Sequence, residues 1–187
     1  MKIRSDFVTN SSSSSFVTLE IDSKALGDIL DKYSETMSED FCFSYSNDEG
    51  KIELFADEAY ATAPSSKKQI IVTLCDIFEV FDEEISDEID KNADAILNDL
   101  KDFKITIGEA GWQGDSEARY YEDNYSKKRL KEYYKEIAEN LGCTPEEVTE
   151  EDFCDFVSDK TSIEEVVATY DPKTEKIKTK KDFYLEY

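Results

Sequence analysis

The chain has 187 residues, no histidine, and 22 Lys and Arg against 45 Asp and Glu, a formal net charge of −23. Such an excess of anions argues against nucleic acid and anionic membrane as partners, and favours a partner carrying a basic groove. Without histidine no Ser-His-Asp or Cys-His arrangement can form, while eleven Phe and eleven Tyr supply a core that a disordered acidic chain lacks.

In chain order, residues 1–15 end in the run Ser11 to Ser15 and predict a flexible segment. Residues 16–187 predict a single acidic domain. Phe16 to Ile21 reads as a strand, with Asp22 as cap of a helix whose apolar face is Ala25, Leu26, Ile29, Leu30 and Tyr33. Phe41, Phe43 and Tyr45, then Ile52 and Leu54, alternate about the turn Asn47-Asp48-Glu49-Gly50 and predict a hairpin. Residues 66–81 and 86–100 carry apolar residues at helical spacing. Phe103 to Ile107 reads as a strand followed by a loop bearing Gly108, Gly111 and Gly114. A helix over about 124–141 ends at Gly142. Thr144, Pro145 and Glu147 have the pattern of a capped helix start. A second hairpin, Ile163 to Tyr170 and Lys176 to Tyr184, closes the chain, with Lys176, Lys178 and Lys180 on one face as an edge strand would carry them. The order predicts an α+β fold, a mainly antiparallel sheet with helices packed on one face.

The four cysteines, Cys42, Cys75, Cys143 and Cys154, form no CxxC pair and suit buried thiols in a reducing compartment. No stretch approaches the roughly 18 apolar residues of a membrane span, so the expectation is a cytoplasmic protein without a membrane partner. No residue is assigned to catalysis, to a metal or to a cofactor.

Two acidic clusters stand out: Asp82, Glu83, Glu84, Asp87, Glu88 and Asp90 at a helix junction, and Glu146, Glu147, Glu150, Glu151, Asp152 and Asp155 around the capped helix. One reading is solvated surface, favoured at helix N-termini. The other is phosphate imitation: duplex DNA carries a charge every 1.7 Å or so of axis, and carboxylates three or four residues apart on a helix form a line of charge about 5 Å apart. The same acids could instead hold Mg²⁺ or Mn²⁺ in a nuclease, which needs two or three of them to converge. Pairs such as Asp57-Glu58, or Asp115 with Glu117, arise by chance in so acidic a chain. Trp112, with Tyr120 and Tyr121, reads either as a partner anchor or as a turn packed on the core. A basic island, Arg119, Lys127, Lys128, Arg129, Lys131 and Lys135, is interleaved with Tyr125, Tyr133 and Tyr134. It reads as a solvated helix face paired with Glu132, Glu136 and Glu139, or as a contact for RNA or an acidic partner.

The opening Lys2-Ile3-Arg4-Ser5-Asp6-Phe7-Val8-Thr9-Asn10, with Ser11 to Ser15 and Phe16, resembles a recurring N-terminal segment of otherwise unrelated proteins of Gram-positive bacteria, their phages and mobile elements. In general character the chain also resembles the anti-CRISPR proteins, several of which offer acidic side chains to the nucleic-acid surface of an RNA-guided nuclease. The resemblance implies a phage or mobile-element inhibitor of a host defence nuclease; the charge implies further that its two acidic clusters, with Trp112 as anchor, bind the basic groove, with no direct nucleic-acid binding. Such nucleases hold nucleic acid in positively charged channels. The alternative is a metal-dependent nuclease or other enzyme modifying nucleic acid or the effector complex.

Overall fold

The structure is a computed structural model and describes residues 14–38, 43–57, 59–112, 125–158 and 160–186. The elements run β1 (Ser14–Asp22), α1 (Lys24–Leu30), α2 (Ser34–Ser38), β2 (Phe43–Asp48), β3 (Lys51–Asp57), α3 (Gln69–Glu79), α4 (Glu83–Lys91), α5 (Ala93–Asp99), β4 (Asp102–Trp112), α6 (Lys127–Leu141), α7 (Glu150–Ser158), β5 (Thr161–Asp171) and β6 (Lys176–Glu186). The strands form one six-stranded antiparallel sheet in the order β2-β3-β1-β4-β5-β6, an α+β fold. The chain divides into two compact units. Among the described residues, one comprises 15–108 and 165–181, the other 109–112, 125–164 and 182–186.

In the larger unit the period-2 pattern of β1 and β3 puts Val17, Leu19, Ile21, Ile52, Leu54 and Ala56 on one buried row. These pack in one cluster with Leu26 and Leu30 of α1, Leu74 and Phe78 of α3, and Ile85 and Ile89 of α4. The opposite row of the same strands is wetter, with Glu20 and Glu53 exposed. The helices therefore cover one face, as the pattern implied.

The β2–β3 hairpin closes in register, Asp48 opposite Lys51, over Glu49 (φ 50°) and Gly50 (φ 95°). Two positive φ values in a two-residue loop make a turn that matches strand twist, and glycine supplies the second without strain. β1 begins inside the serine run: Ser14 and Ser15, expected in the flexible segment, are strand residues, and the rest of that segment lies outside the described residues. The cap of α1 is Ser23, one residue after the expected Asp22. Its Oγ accepts from the Leu26 amide at 3.3 Å and donates to Asp99 at 2.6 Å. The helix expected over 86–100 is two helices: Asn92 (φ −105°, ψ 14°) leaves helical geometry and ends α4, its backbone and side-chain amides both donating to the Glu88 carbonyl, at 3.2 and 2.8 Å. β4 runs on to Trp112, through Gly108 and Gly111, where a loop was expected.

The smaller unit has its own aromatic core of Tyr125, Tyr133, Phe153 and Phe183 with Ile137, Val157 and Leu185. Ser126 caps α6 and Gly142 (φ 72°) ends it. Helix α7 does not start at Thr144. The Thr144–Glu147 bonds form, at 2.8 and 3.0 Å, but close only a turn, and the helix begins after Thr149. Thr149 and Asp152 repeat the same capping pattern five residues later. β-Branched Val148 and Thr149 weaken a helix running through them, so the second cap prevails.

Candidate partner-binding surface

The first acidic cluster grows from the turn between α3 and α4 in the larger unit. The Phe81 and Asp82 amides both donate to the Phe78 carbonyl, and the Asp82 carboxylate accepts from the Glu84 amide at 2.8 Å, capping α4. Ile85 and Ile89 point α4 into the core, so Glu83, Glu84, Asp87 and Asp90 face solvent. Glu83 and Glu84 lie in the first turn, where the helix dipole favours them. Asp87 pairs with Lys91 at 3.2 Å. Glu88 is turned inward: it accepts from the Lys32 ammonium and, at 2.9 Å, from the Tyr33 hydroxyl. These two donors, Lys32 first, hold its carboxyl below the ordinary value of 4.5, and Glu88 in turn raises the Tyr33 hydroxyl. Asp82 and Glu88 thus hold the fold together, while Glu83, Glu84 and Asp90 have no ion-pair partner among the described residues.

The second cluster, in the smaller unit, divides the same way. Glu147 is held by the Thr144 amide and hydroxyl and Asp152 by the Thr149 hydroxyl and amide, and both carboxyls are lowered by those bonds. Phe153 and Val157 bury one side of α7, leaving Glu150, Glu151 and Asp155 exposed, with Glu146 exposed in the preceding turn. The two clusters belong to different units, each described by itself. Trp112 ends β4, and its side chain, with Tyr120 and Tyr121, lies outside the described residues.

Charge is nonetheless sorted along the fold. Residues 69–99, spanning α3 to α5, hold ten Asp and Glu and one cation, Lys91. Residues 136–159 hold nine Asp and Glu and no Lys or Arg. The cations gather elsewhere: Lys176, Lys178 and Lys180 are exposed on β6, an edge strand of the sheet as their spacing suggested. On α6, Lys128 pairs with Glu132 at 3.7 Å and Lys135 with Glu139 at 3.3 Å. Arg129 departs from that pattern. It grips Asp182 through Nε at 3.0 Å and Nη2 at 2.7 Å, over the Tyr184 ring. Arg119 lies outside the described residues.

No three carboxylate or cysteine side chains among the described residues converge as metal ligands do. Glu58, Asp115 and Glu117 lie outside them, as does Cys42, while Cys75, Cys143 and Cys154, expected to be buried, are half-buried and none is in a disulfide with another described cysteine. No helix of the described residues is long and apolar enough to cross a membrane. The sequence reading missed Asp76 and Glu79, which extend the first cluster along α3, and the exposed Tyr60, Val72 and Val80. Val72 is out of phase with the apolar stripe of α3, a signal present in the sequence. No protein-family model matches the chain, and no match to it was found among curated proteins or solved structures.

Proposed function

We propose that the chain is a binding protein and inhibitor that offers its carboxylates to the basic nucleic-acid channel of a host defence nuclease, an RNA-guided nuclease foremost. The observation that carries this reading is the sorting of charge: ten acids to one lysine over residues 69–99, with Glu83, Glu84, Asp87 and Asp90 on the solvent side of α4. Acids spaced by a helical turn give a row of charge that basic side chains arranged for phosphates can pair with, releasing counterions as DNA does. Residues 136–159 supply a second such segment through Glu146, Glu150, Glu151 and Asp155. Asp82, Glu88, Glu147 and Asp152 drop out of the contact set, since their bonds within the fold occupy them.

The test is titration of an RNA-guided nuclease with the chain while DNA cleavage is followed. Inhibition that saturates near one equivalent, persists when the chain is pretreated with EDTA, and weakens steeply with salt supports the reading. Inhibition at far below one equivalent, abolished by that pretreatment, points to the metal-dependent enzyme instead.

A further inference from the structure

The acidic surface defines the charge of a partner, and α3 adds its shape. Ile70, Ile71, Leu74, Ile77 and Phe78 turn one side of α3 into the core. The opposite side is solvent, with Val72 56% and Val80 60% exposed. Val72, Asp76 and Val80 recur at four-residue steps and form one surface row, about 12 Å from the first to the last. Tyr60, 71% exposed, precedes Thr62, whose carbonyl accepts from the Thr73 hydroxyl on α3 at 2.7 Å. That bond, with Ala59 and Pro64 buried on either side, ties the segment bearing Tyr60 to the helix. Of the four large apolar side chains most exposed among the described residues, these are three.

We infer that the solvent face of α3, with Tyr60, is the docking site of a basic amphipathic helix belonging to the protein partner, an inference that rests on the acidic-surface reading. Charge complementarity selects this occupant. Asp76 and Glu79 lie along the face, and Asp82 to Asp90 continue beyond its C-terminal end, so Lys or Arg flanking the partner's apolar residues have carboxylates to meet. Apolar anchors roughly seven or eight residues apart on the partner helix match the span from Val72 to Val80. A polycation without an apolar face satisfies the acids and leaves Tyr60, Val72 and Val80 in water.

Two labelled Leu/Lys peptides of about 16 residues, one patterned as an amphipathic helix and one a scramble of the same composition, test this by fluorescence anisotropy with the full chain. The patterned peptide is expected to bind about tenfold or more tighter. The triple variant Tyr60→Ser, Val72→Ser, Val80→Ser is expected to lose that advantage, with its circular dichroism and its affinity for the scramble unchanged. Equal binding of the two peptides to the native chain, or a triple variant that still prefers the patterned one, overturns the α3 site and leaves the acidic-surface reading standing. Failure of both peptides to bind at low salt overturns both.

Discussion

Gly108 sits where the Phe16 ring crosses β4. A Cβ built on it falls 2.1 Å from Phe16 Cζ, and Phe16 is 6% exposed, so the ring has little room to yield. An aromatic ring over a strand glycine fills the gap the missing side chain leaves, which explains how β4 runs through a residue that reads as loop-forming. Gly108→Ala is expected to cost about 1–3 kcal/mol in chemical denaturation. In a Phe16→Ala background the same change is expected to cost much less, and an undiminished cost would show that the ring is not the obstacle. Glu88 is the second residue whose role only the fold reveals, because its donors Lys32 and Tyr33 lie more than fifty positions away. Its carboxyl is lowered in the fold, so its contribution is full above about pH 4.5 and disappears as pH falls through the lowered value. Glu88→Gln is therefore expected to flatten the acid limb of the stability profile below about pH 4.5, measured by thermal melts at stepped pH. A limb of unchanged slope would contradict the assignment.

Among the elements, those with a strong local period were legible: β1, the β2–β3 hairpin, α3, α6 and the β5–β6 hairpin all form where alternation or helical spacing placed them. The departures among the helices turn on where a polar side chain sets a helix end. Asn92 leaves helical geometry, with its side-chain amide on the Glu88 carbonyl, and splits one apolar run into α4 and α5. At α7 two Thr-x-x-acid patterns compete, and the β-branched pair Val148-Thr149 tips the start to the later one. Thr149→Ala is expected to cost about 1 kcal/mol and to speed amide exchange at Asp152, whose N–H loses its acceptor Thr149 Oγ1. Thr144→Ala is expected to leave that amide unchanged, since Thr144 and Glu147 close only the turn before the helix. Faster exchange at Asp152 in Thr144→Ala would mean that the helix draws on the earlier cap.

At the scale of the whole molecule, composition announced the charge but not its division of labour. The sequence marks twelve acids in two clusters. The fold assigns Asp82, Glu88, Glu147 and Asp152 to caps, turns and an ion pair, and leaves Glu83, Glu84, Asp87, Asp90, Glu146, Glu150, Glu151 and Asp155 exposed, Asp87 beside the equally exposed Lys91. That difference was not legible because it depends on which donors the folded chain brings within hydrogen-bond reach, while the density of acids per segment was legible outright. The basic island resolved in the same way: Lys128 and Lys135 find the helical partners their spacing implied, whereas Arg129 reaches across to β6. The central claim is that the outward acids of the clusters, and not net charge alone, bind a cationic channel. It is tested most directly by the inhibition constant for an RNA-guided nuclease of two variants with matched charge change. One is Glu83→Lys, Glu84→Lys and Asp87→Lys; the other places the same three reversals at Glu20, Glu49 and Glu53, exposed positions outside both clusters. The first is expected to weaken inhibition by about a hundredfold or more, roughly 1 kcal/mol per reversed charge, and the second by less than about tenfold. Equal losses in the two variants would mean that net charge alone acts, and would contradict the account.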